Sequence, residues 1–595
     1  MPMKSLLAPI CLAIALIVFG TCAQASASIA DRGADPVVLT GSDVPKLKGV
    51  AAVDVVAFGW DEDWYQLPVQ VDERKLVNPR SLYPFPDSGF VQSGAGFQIE
   101  AYSDPGTLVG KDPDPSLDDN DEIAVMSYDT GFESDAGFEP DGVIPGSGVT
   151  VKVTDPVDGD SSWLYLFESD GSLDPAAESE YVSYDFSLDA LGAGGSLIDD
   201  YNFADGPNPE DSSVVTAYYD THSSDRWVDD SFTISDEIEN PVDILDRDKV
   251  LFAPGDCQRS EDTFSSGEGS FIANINGPVR AIRSYIGANS GPYTQRDHIY
   301  YEQREDIRTY VRVHGIPQAM FFLDYSPEAT GMTYRNELNP AGVTIDGVPD
   351  PSLVPGVPSD IATDGSTWEQ VTGSQGTLNV VTSIRTDAPN LRYGSYYLDD
   401  KTPGTGSETQ CTGDAFAYGS SGVRITSAIP NTDPKDPPAS SLTSTRSLYF
   451  TAPGGTAEQA AALAKQAVAP LQARETQVLP GTGGGVDGSV LRMKVRPALR
   501  KAEPGRTARF KITLKNTGNL AAMRLKICVK PAGKLAGAGC FNKADLGAGN
   551  SRSFGLRLRV RGSARPGRTY AAKIAAKALD TKPVKGKVKV RVPIR

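Results

Sequence analysis

Apolar residues in this chain come in short runs or in strict alternation, and rarely at helical spacing. Val53–Phe58, Gln66–Val71, Glu122–Met126, Val149–Val153, Trp163–Phe167 and Leu378–Ile384 are each bounded by clusters of Asp, Gly, Pro, Asn and Ser. Such punctuation marks strands closed by turns. Near the C-terminus the alternation is cleanest. Leu491, Met493 and Val495 interleave with Arg492, Lys494 and Arg496; Leu556, Leu558 and Val560 with Arg557, Arg559 and Arg561; Val588, Val590 and Val592 with Lys587, Lys589 and Arg591. A period of two puts aliphatic side chains on one face and cations on the other. One helix is predicted, where Thr456 and Gln459 form a capping box ahead of an alanine-rich run that Pro470 stops. The pattern predicts an all-β, multidomain β-sandwich protein.

Composition shifts divide the chain. Residues 1–27 read as a leader, 28–240 as an acidic N-terminal β domain, and 241–475 as a second β-sandwich ending in the short helix. Residues 476–490, with Pro480-Gly481-Thr482-Gly483-Gly484-Gly485, read as a flexible linker to a basic domain at 491–595. The division near residue 240 follows from length alone, since the stretch before the linker exceeds one ordinary domain.

Charge follows the same divisions. Residues 491–595 hold 28 Lys and Arg against three acids, Glu503, Asp545 and Asp580, a net +25; the remainder is −46 within a whole-chain −21. Three meanings compete for the cationic faces: an anionic partner such as a wall polymer, an acidic polysaccharide or other glycan, or lipid headgroups; docking on the chain's own acidic region; or a solvated basic surface. Nucleic acid is set aside. The only aromatics of this segment, Phe510, Phe541, Phe554 and Tyr570, make no base-stacking pattern.

The first residues read as an export signal. Lys4 precedes an apolar run from Leu6 to Phe19, and Ala23, Ala25 and Ala27 offer small-x-small cleavage sites. The run is short for a membrane span, and no later segment is long and apolar enough to be one. Export predicts a secreted or cell-surface protein. The four cysteines beyond the leader, Cys257, Cys411, Cys528 and Cys540, then read as disulfides, Cys257–Cys411 and Cys528–Cys540 within the two charge regions.

The turn Glu503-Pro504-Gly505, the run Phe510-Lys511-Ile512-Thr513-Leu514-Lys515-Asn516-Thr517-Gly518 and the turn Leu546-Gly547-Ala548-Gly549 resemble the bacterial cell-adhesion-related (CARDB-like) Ig domains. The resemblance covers 491–595 and implies an Ig-like sandwich on a secreted surface protein, without catalysis.

Two constellations carry candidate chemistry. In the run from Asp112 to Glu122, oxygen ligands two residues apart suit a hard cation. Asp112, Asp114, Asp118 and Asp121 are the candidate ligands, and calcium the candidate ion. The loop resembles a shortened EF-hand-type loop, but lacks the central Gly and carries Pro113 and Pro115. The second constellation lies in 276–314, opening with Gly277-Pro278-Val279-Arg280. As a strand from Asp306, it turns Ile307, Val311 and Val313 inward and places Arg308, Tyr310, Arg312 and His314 together on the other face, with Tyr300 nearby. Aromatic plates beside guanidinium groups suit sugar rings and uronates. This segment resembles the large β-sandwiches of polysaccharide-active enzymes. The competing reading is a polar outer face with cross-strand ion pairs. There is no Gly-x-Ser-x-Gly elbow, phosphate loop, His-Glu-x-x-His or dinucleotide fingerprint. The expectation is a non-catalytic binding or structural protein facing a glycan or wall polymer. The alternative is a polysaccharide lyase or glycoside hydrolase using Tyr300, Arg308, Tyr310 and His314.

Overall fold

The computed structural model describes residues 29–82, 98–134, 138–177, 179–188, 209–252, 259–265, 269–288, 291–312, 316–351, 366–386, 391–402, 416–429 and 442–478 of one compact unit. In a second unit it describes 489–497, 499–516, 521–537, 539–543, 545–547, 550–565, 568–579 and 581–593. The division between units falls at Gly481/Thr482. The leader, His314, Cys257 and Cys411 lie outside the described residues.

Both units are built of β-sheets. The centre of the first is a nine-stranded antiparallel sheet. Its spatial order is Ser270–Asn276, Ala281–Ala288, Gly291–Tyr300, Arg304–Val311, Leu442–Thr451, Gly376–Arg385, Ser366–Gly373, Thr333–Asn336 and Asn339–Thr344. One face carries Ala281, Tyr300, Ile307, Val380 and Leu448. It packs on Leu323 and Tyr325 of a four-stranded sheet and on Val214, Tyr219 and Phe232 of another. The opposite face carries Ile282, Ile286 and Ile299, which meet Val77, Ile99, Ala124 and Met126 from the N-terminal strands. Further along that face, Trp368, Val381 and Tyr449 receive Ala460 and Ala464 of the helix Ala457–Ala467. The helix begins with the Thr456/Gln459 capping box that the sequence predicts.

The N-terminal strands form their own sandwich. A three-stranded sheet (Pro36–Thr40, Glu122–Met126, Gln70–Asp72) faces a five-stranded one over Val37, Ile123, Val125, Val151 and Leu166. The predicted strand Gln66–Val71 is two strands, Trp64–Leu67 and Gln70–Asp72. Pro68 lies between them and has no N–H to give to a ladder. The five-stranded sheet ends on Gln472–Val478, which pairs with Val149–Thr154. The chain thus returns to its own beginning, and one apolar cluster runs from Val182 to Phe450. Residue 240 is therefore not a boundary: the core is shared across it, and the first unit continues to Gly481.

The second unit is a sandwich of four strands (Leu491–Arg496, Thr507–Asn516, Ser551–Val560, Leu535–Ala536) on five (Leu499–Lys501, Val584–Arg591, Thr569–Lys577, Lys526–Pro531, Gly539–Asn542). Its core is Ile512, Leu514, Ile527, Leu558, Ile574, Val588 and Val590. Cys528 and Cys540 pair across two strands of the five-stranded sheet and are joined in a disulfide.

The first unit buries whole ion pairs between its sheets. Arg283 donates from Nε (2.8 Å) and a terminal nitrogen (2.7 Å) to Glu210, both fully buried. Arg446 donates two bonds to Asp248, at 2.8 and 2.5 Å. Removing one member of such a pair strands the other charge, at a cost of about 3–5 kcal/mol. Arg283→Ala should lower the unfolding free energy by about that much, whereas exposed Lys587→Ala should change it by less than ~0.5 kcal/mol. Chemical denaturation of each variant measures both; equal small effects would show that the buried pair adds no such constraint.

Candidate functional site

Strand Arg304–Val311 lies in mid-sheet, and its register decides which predicted site residues meet. Asp297 pairs with Arg308 and Gln295 with Tyr310, so these share one face together with Asp306. Tyr300 pairs with Glu305 and His298 with Ile307, on the other face. Tyr300 is buried at 1% exposure among Ala281, Ile307 and Tyr184. Arg308, Tyr310 and Arg312 are brought together; Tyr300 is not. The Arg312 guanidinium sits 5.0 Å above the Tyr310 ring and donates to Gln295 Oε1 at 2.7 Å. Arg312 is buried, and burial brings its pKa down to about 10. The Arg308 side chain is 34% exposed, with Asp306 4.0 Å away, and Tyr310 is half-buried. These two carry the face to solvent. The face is outward only in part, because Asp306 is buried and held by Arg304 at 2.8 and 3.0 Å.

Beside this strand lies a cluster that the sequence did not disclose. Arg280 donates to Asp72 Oδ2 at 2.8 Å, to Glu122 Oε2 at 2.7 Å and to the Tyr301 hydroxyl at 3.2 Å. Arg74 donates to Glu122 at 2.8 Å and to Glu100 at 2.7 Å, and the Tyr102 hydroxyl donates to Glu122 at 2.9 Å. Burial opposes the Glu122 charge, but Arg280, Arg74 and Arg308 outweigh it and hold its pKa at about 2. Gly277 makes the approach possible, since a Cβ there would lie 2.1 Å from Gln70 Oε1. That oxygen accepts the backbone N–H groups of Val279 and Arg280 at 3.2 and 3.0 Å. The Gly-Pro break before Arg280 was the visible signal; its acidic partners come from segments some 160 to 210 residues away.

The opposite face holds a second cluster. His298 lies 2.8 Å from Glu305 through Nδ1 and 3.1 Å from the Tyr285 hydroxyl through Nε2. Burial pushes His298 down and Glu305 up, disfavouring the charged form of each. The rings of Tyr285 and Tyr300 flank the imidazole, stacked at 5.7 and 5.8 Å between centroids.

The acidic loop turns its carboxylates onto its own backbone. Asp112 accepts the N–H of Asp114, Asp114 that of Ser116, and Asp118 that of Asn120. Asp121 accepts from the N–H groups of Asp118 and Arg74 at 2.8 and 2.7 Å. Among the described residues no three His, Cys, Asp or Glu converge as metal ligands would. The loop does surround Glu73, whose carboxylate oxygens are shielded from water and accept no hydrogen bond. Burial, then Asp121, Asp112, Asp118 and Asp114, push Glu73 up to about 7.

In the second unit the register sorts the long strands by charge. On the outer face of the five-stranded sheet Lys526 stands opposite Lys577, and Lys530, Lys573 and Lys587 lie side by side across three strands. Lys585 and Lys589 flank Lys587 along its own strand, and Lys501 pairs with Arg591. No carboxylate occupies this face in any of its strands. On the four-stranded sheet Arg509 stands opposite Arg557, and Arg559 and Lys511 flank them, all exposed.

No family model matches the chain, and no curated protein does. Several solved structures share a weak, partial likeness of fold. The CARDB domain of the PF1109 protein from Pyrococcus furiosus, crystallised with di-metal ions, is 14% identical over 19% of this chain and 94% of that one, with a TM-score of 0.15. Spo0M, a sporulation control protein from Bacillus subtilis, is 8% identical over 18% of this chain and 51% of that one, at 0.14. A β-glucosidase from Listeria innocua is 17% identical over 20% of this chain and 18% of that one, at 0.13.

Glu73 gives the first unit a definite pH response. Its folded pKa is raised, so its stabilising contribution is complete below about pH 4.5 and is lost as pH rises through about 7. Glu73→Gln should flatten the fall of the melting midpoint over this range relative to the natural chain. Calcium at the loop is a proposal that the same melts test. A bound cation would raise the midpoint near pH 8 in the natural chain but not in Asp114→Ala. Superimposable curves with calcium and with chelator would leave the loop as a turn closed by its own amides.

Proposed function

We propose that this is an exported, non-catalytic protein of the cell envelope that holds an anionic glycan or wall polymer, with the basic sandwich as its gripping unit. The reading rests on one observation: Lys530, Lys573 and Lys587 stand side by side with no acid on their sheet face. Like charges directly opposed across strands destabilise a sheet. A surface made basic only for solubility would intersperse acids. A polyanion laid across the strands removes the repulsion and releases its own counterions, as any polyelectrolyte does. The Arg308–Tyr310 face of the first unit offers a second contact, a guanidinium for a uronate beside a ring for stacking. The lyase or hydrolase alternative loses support because Tyr300 and Arg308 sit on opposite faces of the sheet.

Retention of the full mature chain on immobilised polygalacturonate tests this. Binding should weaken at least tenfold between 50 and 200 mM salt, roughly the behaviour of a multi-contact polyelectrolyte complex. Replacing Lys530, Lys573 and Lys587 by Gln should weaken it further and make the salt dependence shallower. Tyr310→Ala should cost a few-fold through the lost stacking plate. Absence of binding to acidic and neutral glycans alike would reject the reading, and new absorbance from unsaturated sugar ends would replace it with a lyase.

A further inference from the structure

We infer that the second unit cross-bridges two polyanion chains, one on each face of its sandwich. The inference rests on the polymer-binding reading and goes beyond it, because a single cationic face would suffice for attachment. The unit has two. Lys530, Lys573 and Lys587 belong to the outer face of the five-stranded sheet, and Arg509, Arg557 and Arg559 to that of the four-stranded sheet. All six are exposed. The strictly apolar core between them, including Ile512, Leu558, Ile574 and Val588, turns these two sets of side chains in opposite directions. Packed sheets lie ~10 Å apart at the backbone, and the charged tips lie further apart than that. The distance exceeds the ~8 Å over which exposed charges act at physiological salt. Each face is therefore an independent site, and a linear polymer lying along one leaves the other open.

The two faces also differ chemically. The five-stranded sheet presents mainly lysines, compact strongly hydrated charges that hold a polyanion without fixing its geometry. The four-stranded sheet presents opposed Arg509 and Arg557, with Arg559 next along the strand, and guanidinium groups pair carboxylate or phosphate oxygens two at a time. A polymer with one carboxylate or phosphate per repeat satisfies both. The arrangement predicts a lysine face that captures and lets the chain slide, and an arginine face that holds it in place. Bridging by two such faces gains from tethering, because the second contact forms at the raised local concentration set by the first.

The test mixes the full mature chain, confirmed monomeric, with polygalacturonate or poly(glycerol phosphate) and follows light scattering against the protein-to-polymer ratio. Bridging predicts scattering that rises, peaks and falls when excess protein saturates every chain singly. The Lys530/Lys573/Lys587→Gln and Arg509/Arg557/Arg559→Gln variants should each still bind but lose at least tenfold of the peak. The combined variant should lose binding. Lys→Arg at the three lysine positions should restore the peak, a control that charge and not folding is read. The two polymers separate carboxylate from phosphate as the preferred partner. A one-face variant that scatters like the natural chain would overturn bridging by this unit, as would a single face that alone carries all binding. If the natural chain binds neither polymer, the polymer-binding reading itself fails.

Discussion

Neutralisation of charge between sheets is the constraint on which the first unit depends. Its nine-stranded sheet is covered on both faces, by the N-terminal sandwich and the helix on one side and by two four-stranded sheets on the other. Away from the partly exposed Arg308, water is largely kept from its charged side chains, so a buried charge is met within the protein or disfavoured. Arg283 is met by Glu210, Arg446 by Asp248, and Arg280 by Asp72 and Glu122. At His298 and Glu305 burial instead disfavours the charged forms, lowering the first pKa and raising the second. These partners come from strands far apart in sequence, so the pairs fix which layer lies on which. A hydrophobic substitute would serve stability as well or better, but would leave the stacking of layers less determined.

The second unit treats charge in the opposite way. Its buried core is apolar, and Lys530, Lys573, Lys587, Arg509, Arg557 and Arg559 stay exposed on the outward side of their strands. Repulsion there is tolerated because the apolar interior is complete without them. Exposed cations are screened and contribute little to the fold. One chain thus pairs arginine internally and exposes it externally, and burial distinguishes the two settings.

The same distinction explains what could be read from residues. Val588, Val590 and Val592 alternate with Lys587, Lys589 and Arg591 because one side of the strand meets oil and the other water, and the strand is found as expected. The capping box at Thr456 and Gln459 is likewise local and is found. At Arg304–Val311 the same logic gave the wrong exposure. Ile307 and Val311 do face inward, but Asp306 on the other side is buried too. An alternating strand whose polar side is partly covered by ion pairs is indistinguishable, in sequence, from one that faces solvent throughout. The placement of Tyr300 away from Arg308 had the same cause, since hairpin register decides it and neither residue carries a mark of it.

The sequence by itself determined the β class, the helix start and the sorting of cations to one side of the alternating C-terminal strands. All of these depend on neighbours within a few residues or on a period of two. Only the tertiary structure decided that the core runs unbroken past residue 240, that Gln472–Val478 closes the sheet begun at Val149–Thr154, and that Arg280 finds Asp72 and Glu122. Those contacts join segments hundreds of residues apart, and their energy depends on which groups are removed from water together, a property of the packed layers rather than of any stretch of chain.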